Sequence, residues 1–181
     1  MKLRPIALVG LPGVGKSTIG RQLARRLELP FFDSDDLIEQ CIGKSIRSFF
    51  EEKGEDAFRD LEEEVLDQLS LRNDCVIATG GGVVLREVNR HRLMERARVI
   101  YLRATPEQLI KRLRHDMKRP LLQGPNPLAR LRSLYEVREP LYRETAEFVV
   151  EACVQSKSLL VSRLLMQLEL LAEEGDALGE R

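Results

Sequence analysis

The stretch Gly10-Leu11-Pro12-Gly13-Val14-Gly15-Lys16-Ser17 carries phosphate chemistry, because it fits the pattern G-x-x-x-x-G-K-[ST]. Glycines let backbone N–H groups curl around phosphate oxygens, and a helix start adds the positive end of its dipole. In such a loop the lysine, here Lys16, reaches the β- and γ-phosphates, and the hydroxyl of Ser17 can ligate Mg²⁺. The alternative, a chance glycine turn before a helix, does not require the lysine or the serine.

Three further groups could complete a transfer site. Phe31-Phe32-Asp33-Ser34-Asp35-Asp36 places carboxylates at the end of an expected second strand. Asp33 and Asp35 are two apart, so they point the same way if the strand persists. One could join a magnesium shell and the other could hold an acceptor hydroxyl; the plainer reading makes Asp35 and Asp36 helix caps. Thr79-Gly80-Gly81-Gly82 follows an expected third strand, where backbone can approach a ligand closely. Arg59, near a helix start after Gly54, could bind an anion, although alone it reads as a surface arginine.

These residues need a frame. Strand-like runs at 6–9, 31–33, 75–79, 98–102 and 147–152 alternate with helical segments at 16–28, 35–42, 45–53, 56–71, 86–96, 105–115, 127–145 and 157–173. Alternation of this kind predicts a parallel sheet with helices on both faces, and ligands of such sheets bind beyond the carboxyl ends of the strands. Thr105-Pro106-Glu107 is a helix start. Phe58, Leu61, Val65 and Leu69 form a core stripe, with Glu62, Glu63 and Glu64 facing water, and Leu159, Leu160, Leu164, Leu165 and Leu168 pack the last helix. The stretch 115–127, with three prolines and a glycine around Lys118 and Arg119, reads as a polar loop. The chain is expected to be one domain over 1–174 with a polar tail at 175–181.

Composition narrows the class. Lysine plus arginine equal aspartate plus glutamate at 29 each, which argues against bulk nucleic-acid binding. Residues 51–67 are mostly acidic and 86–119 are arginine-rich. Cys41, Cys75 and Cys153 are scattered, and His91 and His115 are isolated, so neither a zinc site nor a disulfide framework is indicated. Cys75 and Cys153 read as buried small hydrophobes. No signal-peptide or membrane-length apolar run appears, so a soluble, cytoplasmic protein is expected. Guanine-reading N-K-x-D is missing, and D-x-x-G occurs only at 176–179, which argues against a GTPase. The third strand ends in Thr79-Gly80-Gly81-Gly82 rather than Asp-Glu, which argues against a motor or helicase.

Taken in order, these segments resemble the shikimate kinase family. The motifs are the phosphate loop with Gly20-Arg21, F-x-D-S-D at 31–35, G-E-x-x-F-R at 54–59, T-G-G-G at 79–82, R-P-L-L at 119–122 and R-x-P-L-Y at 138–142. The resemblance runs from about residue 4 to residue 172. It implies an α/β fold: a five-stranded parallel sheet flanked by helices, a P-loop kinase of the nucleoside monophosphate kinase type with a mobile lid at about 115–127. It implies transfer of the γ-phosphoryl of ATP to the 3-hydroxyl of shikimate, in aromatic amino-acid biosynthesis, by a monomer with no nucleic-acid or membrane partner.

By the same resemblance Gly13, Val14, Gly15, Lys16, Ser17 and Thr18 hold the ATP phosphates, with Ser17 on Mg²⁺ and Asp33 behind it through water. Asp35 holds shikimate hydroxyls and is the candidate base. Arg59 and Arg138 clamp the shikimate carboxylate, with backbone from Gly81 and Gly82. Arg119 is the lid arginine, and Lys16, Asp35 and Arg119 form the catalytic set. Arg112 and Gln155 are adenine-side contacts. Two departures stand out: Pro12 sits where the family often has a residue such as methionine, and loop 154–157 lacks a frequent proline. Another small-molecule kinase, for gluconate or a nucleoside monophosphate, is the nearest alternative. A nucleotide-dependent regulator without an acceptor is the more distant one.

Overall fold

The computed structural model of the chain describes residues 3–113 and 124–179, with residues 172–179 as backbone alone. Five strands form one all-parallel sheet: β1 (Ile6–Val9), β2 (Phe31–Asp33), β3 (Val76–Ala78), β4 (Arg98–Arg103) and β5 (Phe148–Glu151), in the order β2-β3-β1-β4-β5. Ile6 lies between Val76 and Arg98, Phe31 is opposite Val76, and Ile100 is opposite Phe148. The central β1 and β3 read as continuous apolar runs because both faces are covered, and every residue in them is buried.

Helices α1 (Lys16–Leu27), α2 (Ser34–Ile42), α3 (Ile46–Ser70), α4 (Glu87–Arg96), α5 (Pro106–Leu113), α6 (Pro127–Thr145) and α7 (Lys157–Gly179) connect and flank the strands. Ile19 and Leu23 of α1 are fully buried against the sheet, as their helical spacing requires. A second apolar cluster joins Ile38 of α2 to Phe58, Val65 and Leu69 of α3, with Cys75 and Ile77 beneath. This cluster mounts α2 and α3, the latter carrying Arg59, beside β2 and β3, the edge of the sheet that ends in Asp33. Among the described residues no helix is long and apolar enough to cross a membrane.

Several sequence expectations shift. The two helices expected at 45–53 and 56–71 form one element broken at Gly54, whose backbone leaves the helix at φ 84°. Helix α7 continues to Gly179, beyond the expected end at 173, although Gly175 and Asp176 are poor helix formers. Leu159 is 57% exposed, whereas Leu160, Leu164 and Leu168 do pack inward. Cys75 is buried as expected, but Cys153 is only half-buried. The helix start at Thr105 is a reciprocal cap: Gln108 N–H donates to Thr105 Oγ1 at 3.2 Å, and Thr105 N–H to Gln108 Oε1 at 2.8 Å. The expected lid, with Arg119, falls mainly on residues outside the described ones; its end is described where Asn126 caps α6 through Ala129 N–H.

Candidate active site

The carboxyl ends of β1, β2 and β3 lie side by side, and each feeds one wall of a cavity of about 290 Å³. Its lining comes from the loop after β1 (Pro12, Gly13, Gly15) and the start of α1 (Lys16, Ser17, Thr18), from Asp33 at the end of β2 and Asp35 just beyond it, and from Thr79 and Gly81 after β3. The parallel register alone brings these distant stretches together.

Gly15 caps α1 with φ 104°, a left-handed conformation that the loop needs to turn into the helix. Lys16 is 8% exposed, and its ammonium donates to the carbonyls of Gly10 at 2.7 Å and Leu11 at 3.0 Å, so it spans its own loop. Ser17 Oγ donates to Asp33 Oδ2. The other oxygen of Asp33 accepts Asp35 N–H at 3.0 Å, which makes Asp33 the N-cap of α2. The expected capping by Asp36 is therefore corrected: Asp36 is exposed and lies 3.6 Å from Arg21. The strand also ends at Asp33, so Asp35 enters the cavity from the first turn of α2 rather than along an extended strand.

Asp35 sits in a negative environment. Its Oδ1 is buried and has no hydrogen-bond partner among the described residues. Burial first, then Asp33 and Glu62, push its carboxyl up to about 6, although Lys16 pulls it down. A carboxylate so placed is suited to accept a proton near neutral pH.

Glu62 corrects the expectation that it faces water. It is 1% exposed, and burial raises its carboxyl even against Arg59, Arg138 and Arg86. Its Oε2 accepts Arg59 Nη1 at 2.6 Å, while Oε1 has no partner among the described residues. A Cβ on Gly80 would lie 2.7 Å from Glu62 Oε1 and 2.8 Å from Asp35 Oδ1, so the two unpaired oxygens converge on that glycine. The three-residue step from Arg59 to Glu62 on one helix face was the signal for this pair.

Arg59 is also held by Glu55 at 3.2 Å and lies 5.1 Å from the Phe58 ring centroid. Its guanidinium covers Gly82 so closely that a Cβ there would lie 2.4 Å from Nη1. Only glycine leaves room for that cation. Arg138 Nη1 lies 3.3 Å from the corresponding point on Gly81, and Pro12 packs 2.8 Å from it. The structure thus brings Arg59, Arg138, Gly81 and Gly82 together beside Asp35. Sequence reading left Tyr142 without a role, yet its hydroxyl donates to the Gly81 carbonyl. Ser34, whose Oγ accepts Gly80 N–H at 3.0 Å, was likewise missed.

Arg112 on α5 donates from Nη1 to the Val14 carbonyl at 2.8 Å and covers Gly15. It also lines a second cleft, of about 500 Å³, together with Gln108, Lys111, Cys153, Gln155 and Lys157. Arg112 and Gln155 therefore share one surface on the far side of the phosphate loop from Asp35. Arg119 is outside the described residues.

Ser17 and Asp33 offer only oxygen donors, the type that a hard cation takes. Among the described residues no group of three His, Cys, Asp or Glu side chains could hold a metal by itself. A cation here would have to share its shell with phosphate oxygens and water.

A sequence model described as shikimate kinase matches residues 12–169 of the chain. A curated shikimate kinase from Paracidovorax citrulli is 58% identical over 168 residues, covering 91% of this chain and 92% of that protein. A solved shikimate kinase from Acinetobacter baumannii, in complex with shikimate, superposes with a TM-score of 0.86 at 42% identity, covering 94% of each chain. A gluconokinase from Sinorhizobium meliloti, at 20% identity and a TM-score of 0.59, shares the fold alone.

Proposed function

The chain belongs to the shikimate kinase family, and from that membership we infer that it transfers the γ-phosphoryl group of ATP to the 3-hydroxyl of shikimate, giving shikimate 3-phosphate and ADP, in aromatic amino-acid biosynthesis. One observation supports the reading beyond kinship. A single cavity joins the phosphate loop to the buried carboxylate of Asp35, and the arginine pair stands at its border.

Phosphoryl transfer depends on in-line positioning and charge neutralisation more than on covalent chemistry. Gly13, Val14, Gly15, Lys16, Ser17 and Thr18 would hold the nucleotide phosphates, with Lys16 against the charge of the transferring group. Arg112 and Gln155 would border the adenine. Arg59 and Arg138 would hold the acceptor carboxylate, with backbone from Gly81 and Gly82, so that one ring hydroxyl faces Asp35. Asp35 would take the proton of that hydroxyl. Mg²⁺ would sit at Ser17, with Asp33 reaching it through water, and would supply charge neutralisation on the phosphates. Arg119 would complete the set, adding a cation against the charge of the transferring group.

A coupled assay for ADP release across shikimate, quinate and gluconate tests the reading. Turnover is expected with shikimate above the others. Equal turnover of gluconate would overturn the acceptor assignment, and ADP release indifferent to any acceptor would replace the kinase by a nucleotide-dependent regulator.

A further inference from the structure

Tyr142 follows Arg138 by one helical turn on α6, so the two side chains leave the same face. Both reach Gly81. The Tyr142 hydroxyl donates to the Gly81 carbonyl, and Arg138 Nη1 lies 3.3 Å from the place of a Gly81 Cβ. With its proton committed to Gly81, the phenol oxygen keeps lone pairs for a donor, and the Arg138 guanidinium stands beside the same glycine, where its charge pulls the phenol's pKa down. Gly81 in turn connects Gly80, which faces Asp35 and Glu62, to Gly82, which lies under Arg59.

We propose that Tyr142 is a positioning residue for the acceptor carboxylate: its hydroxyl ties the Gly81 carbonyl to Arg138 and so fixes one arm of the arginine clamp. The inference rests on the shikimate kinase reading and adds to it a group that touches neither substrate. Burial pushes the phenol up to about 12, against the pull of Arg138, so it remains a donor through the neutral range.

The neighbouring tyrosine separates positioning from packing. Tyr101 on β4 is fully buried, and its ring stacks on Tyr142 with centroids 5.0 Å apart. Its hydroxyl has no hydrogen-bond partner among the described residues. The two rings share the packing, but only the Tyr142 hydroxyl reaches the site.

The test compares Tyr142→Phe with Tyr101→Phe, measuring shikimate and ADP dissociation constants by calorimetry. Loss of one hydrogen bond to a charged or buried group should raise the shikimate Kd of Tyr142→Phe about tenfold, with ADP affinity held within about twofold. Tyr101→Phe should leave both constants at wild-type values. The methyl ester of shikimate, which lacks the negative charge, should distinguish the two enzymes less than shikimate does. Unchanged shikimate affinity in Tyr142→Phe overturns the proposal, as does an equal loss of ADP affinity. Should Tyr142→Phe fold poorly at assay temperature, a cycle with Arg138→Ala at lower temperature decides: losses that simply multiply would show the residues to be independent and overturn it. A wild-type protein that does not bind shikimate overturns the acceptor assignment and this inference together, whereas a binding wild type with an indifferent Tyr142→Phe overturns this inference alone.

Discussion

Replacing Asp35 by Asn should make the protein more stable and nearly inactive. The carboxyl titrates at about 6 in the fold, against an ordinary value of 3.8, because burial, Asp33 and Glu62 all oppose its charge. A shift of about two units corresponds to roughly 3 kcal/mol of differential stability between its charged and neutral forms. The sign follows from proton binding. Between pH 3.8 and about 6 the folded chain binds this proton more tightly than the unfolded chain, so stability falls as pH rises through that window. Above it the full penalty is present; below it the penalty is gone. Asn at this position carries no charge, so the variant should gain stability at pH 8 and gain much less at pH 4. For a domain of this size each 1 kcal/mol moves Tm by about 2–4 °C, so a rise of several degrees is expected at pH 8. The assay is thermal unfolding of the metal-free protein at both pH values, with kcat measured separately. Loss of a general base should lower kcat by about 10²–10⁴-fold. Equal stabilisation at pH 4 and pH 8, or none at pH 8, would refute the electrostatic argument. Retained turnover would refute the role of base.

Gly82→Ala should force the Arg59 guanidinium aside, because the added Cβ would lie 2.4 Å from Nη1. The expected result is a rise of about tenfold or more in the shikimate KM with the ATP KM within twofold, read from initial rates. Lys16→Ala should lower kcat by on the order of 10³-fold, the scale for removing a preorganised charge partner, and near-normal turnover would remove the phosphate loop from the mechanism. Arg112→Ala removes the cover from Gly15 and the bond to Val14, so nucleotide affinity measured by calorimetry should weaken about fivefold while shikimate affinity stays.

The sheet was legible because its strands announce themselves. Short Val- and Ile-rich runs between capped helices leave little choice but a parallel sheet with two helical layers. The phosphate loop was legible for the same local reason: its glycines, lysine and serine act within one turn of chain. Charge burial was not. Glu62 lies in a run of three glutamates, and helical periodicity alone cannot say which of them turns inward beneath an arginine. Its neighbour Arg59 supplied the reason, since a buried cation needs a buried partner. The aspartates were placed by an extended-strand argument that needs the strand to run through Asp35, yet the strand ends at Asp33 and helix α2 begins at Ser34. Both carboxylates reach the cavity all the same, because an N-cap side chain and the first turn point back toward the end of the strand. Tyr142 stayed without a role because its contact with Gly81 spans sixty-one residues and two elements, and no local pattern encodes it.

Pro12 shows how the two halves of the site are joined. As the third residue of the phosphate loop it lacks an N–H, which looks like a loss in a segment whose task is to donate hydrogen bonds. Its ring instead lies 2.8 Å from the place of a Gly81 Cβ, on the same glycine that Tyr142 and Arg138 approach. The loop proposed to hold the nucleotide and the turn proposed to present the acceptor therefore abut through a rigid ring against a bare backbone. Proline fixes φ and glycine removes the side chain, so the two walls are held at van der Waals distance. Transfer between two substrates requires their reactive atoms to be held about 3–3.5 Å apart and aligned, and a contact with so little rotational freedom sets that separation more firmly than a pair of flexible side chains would.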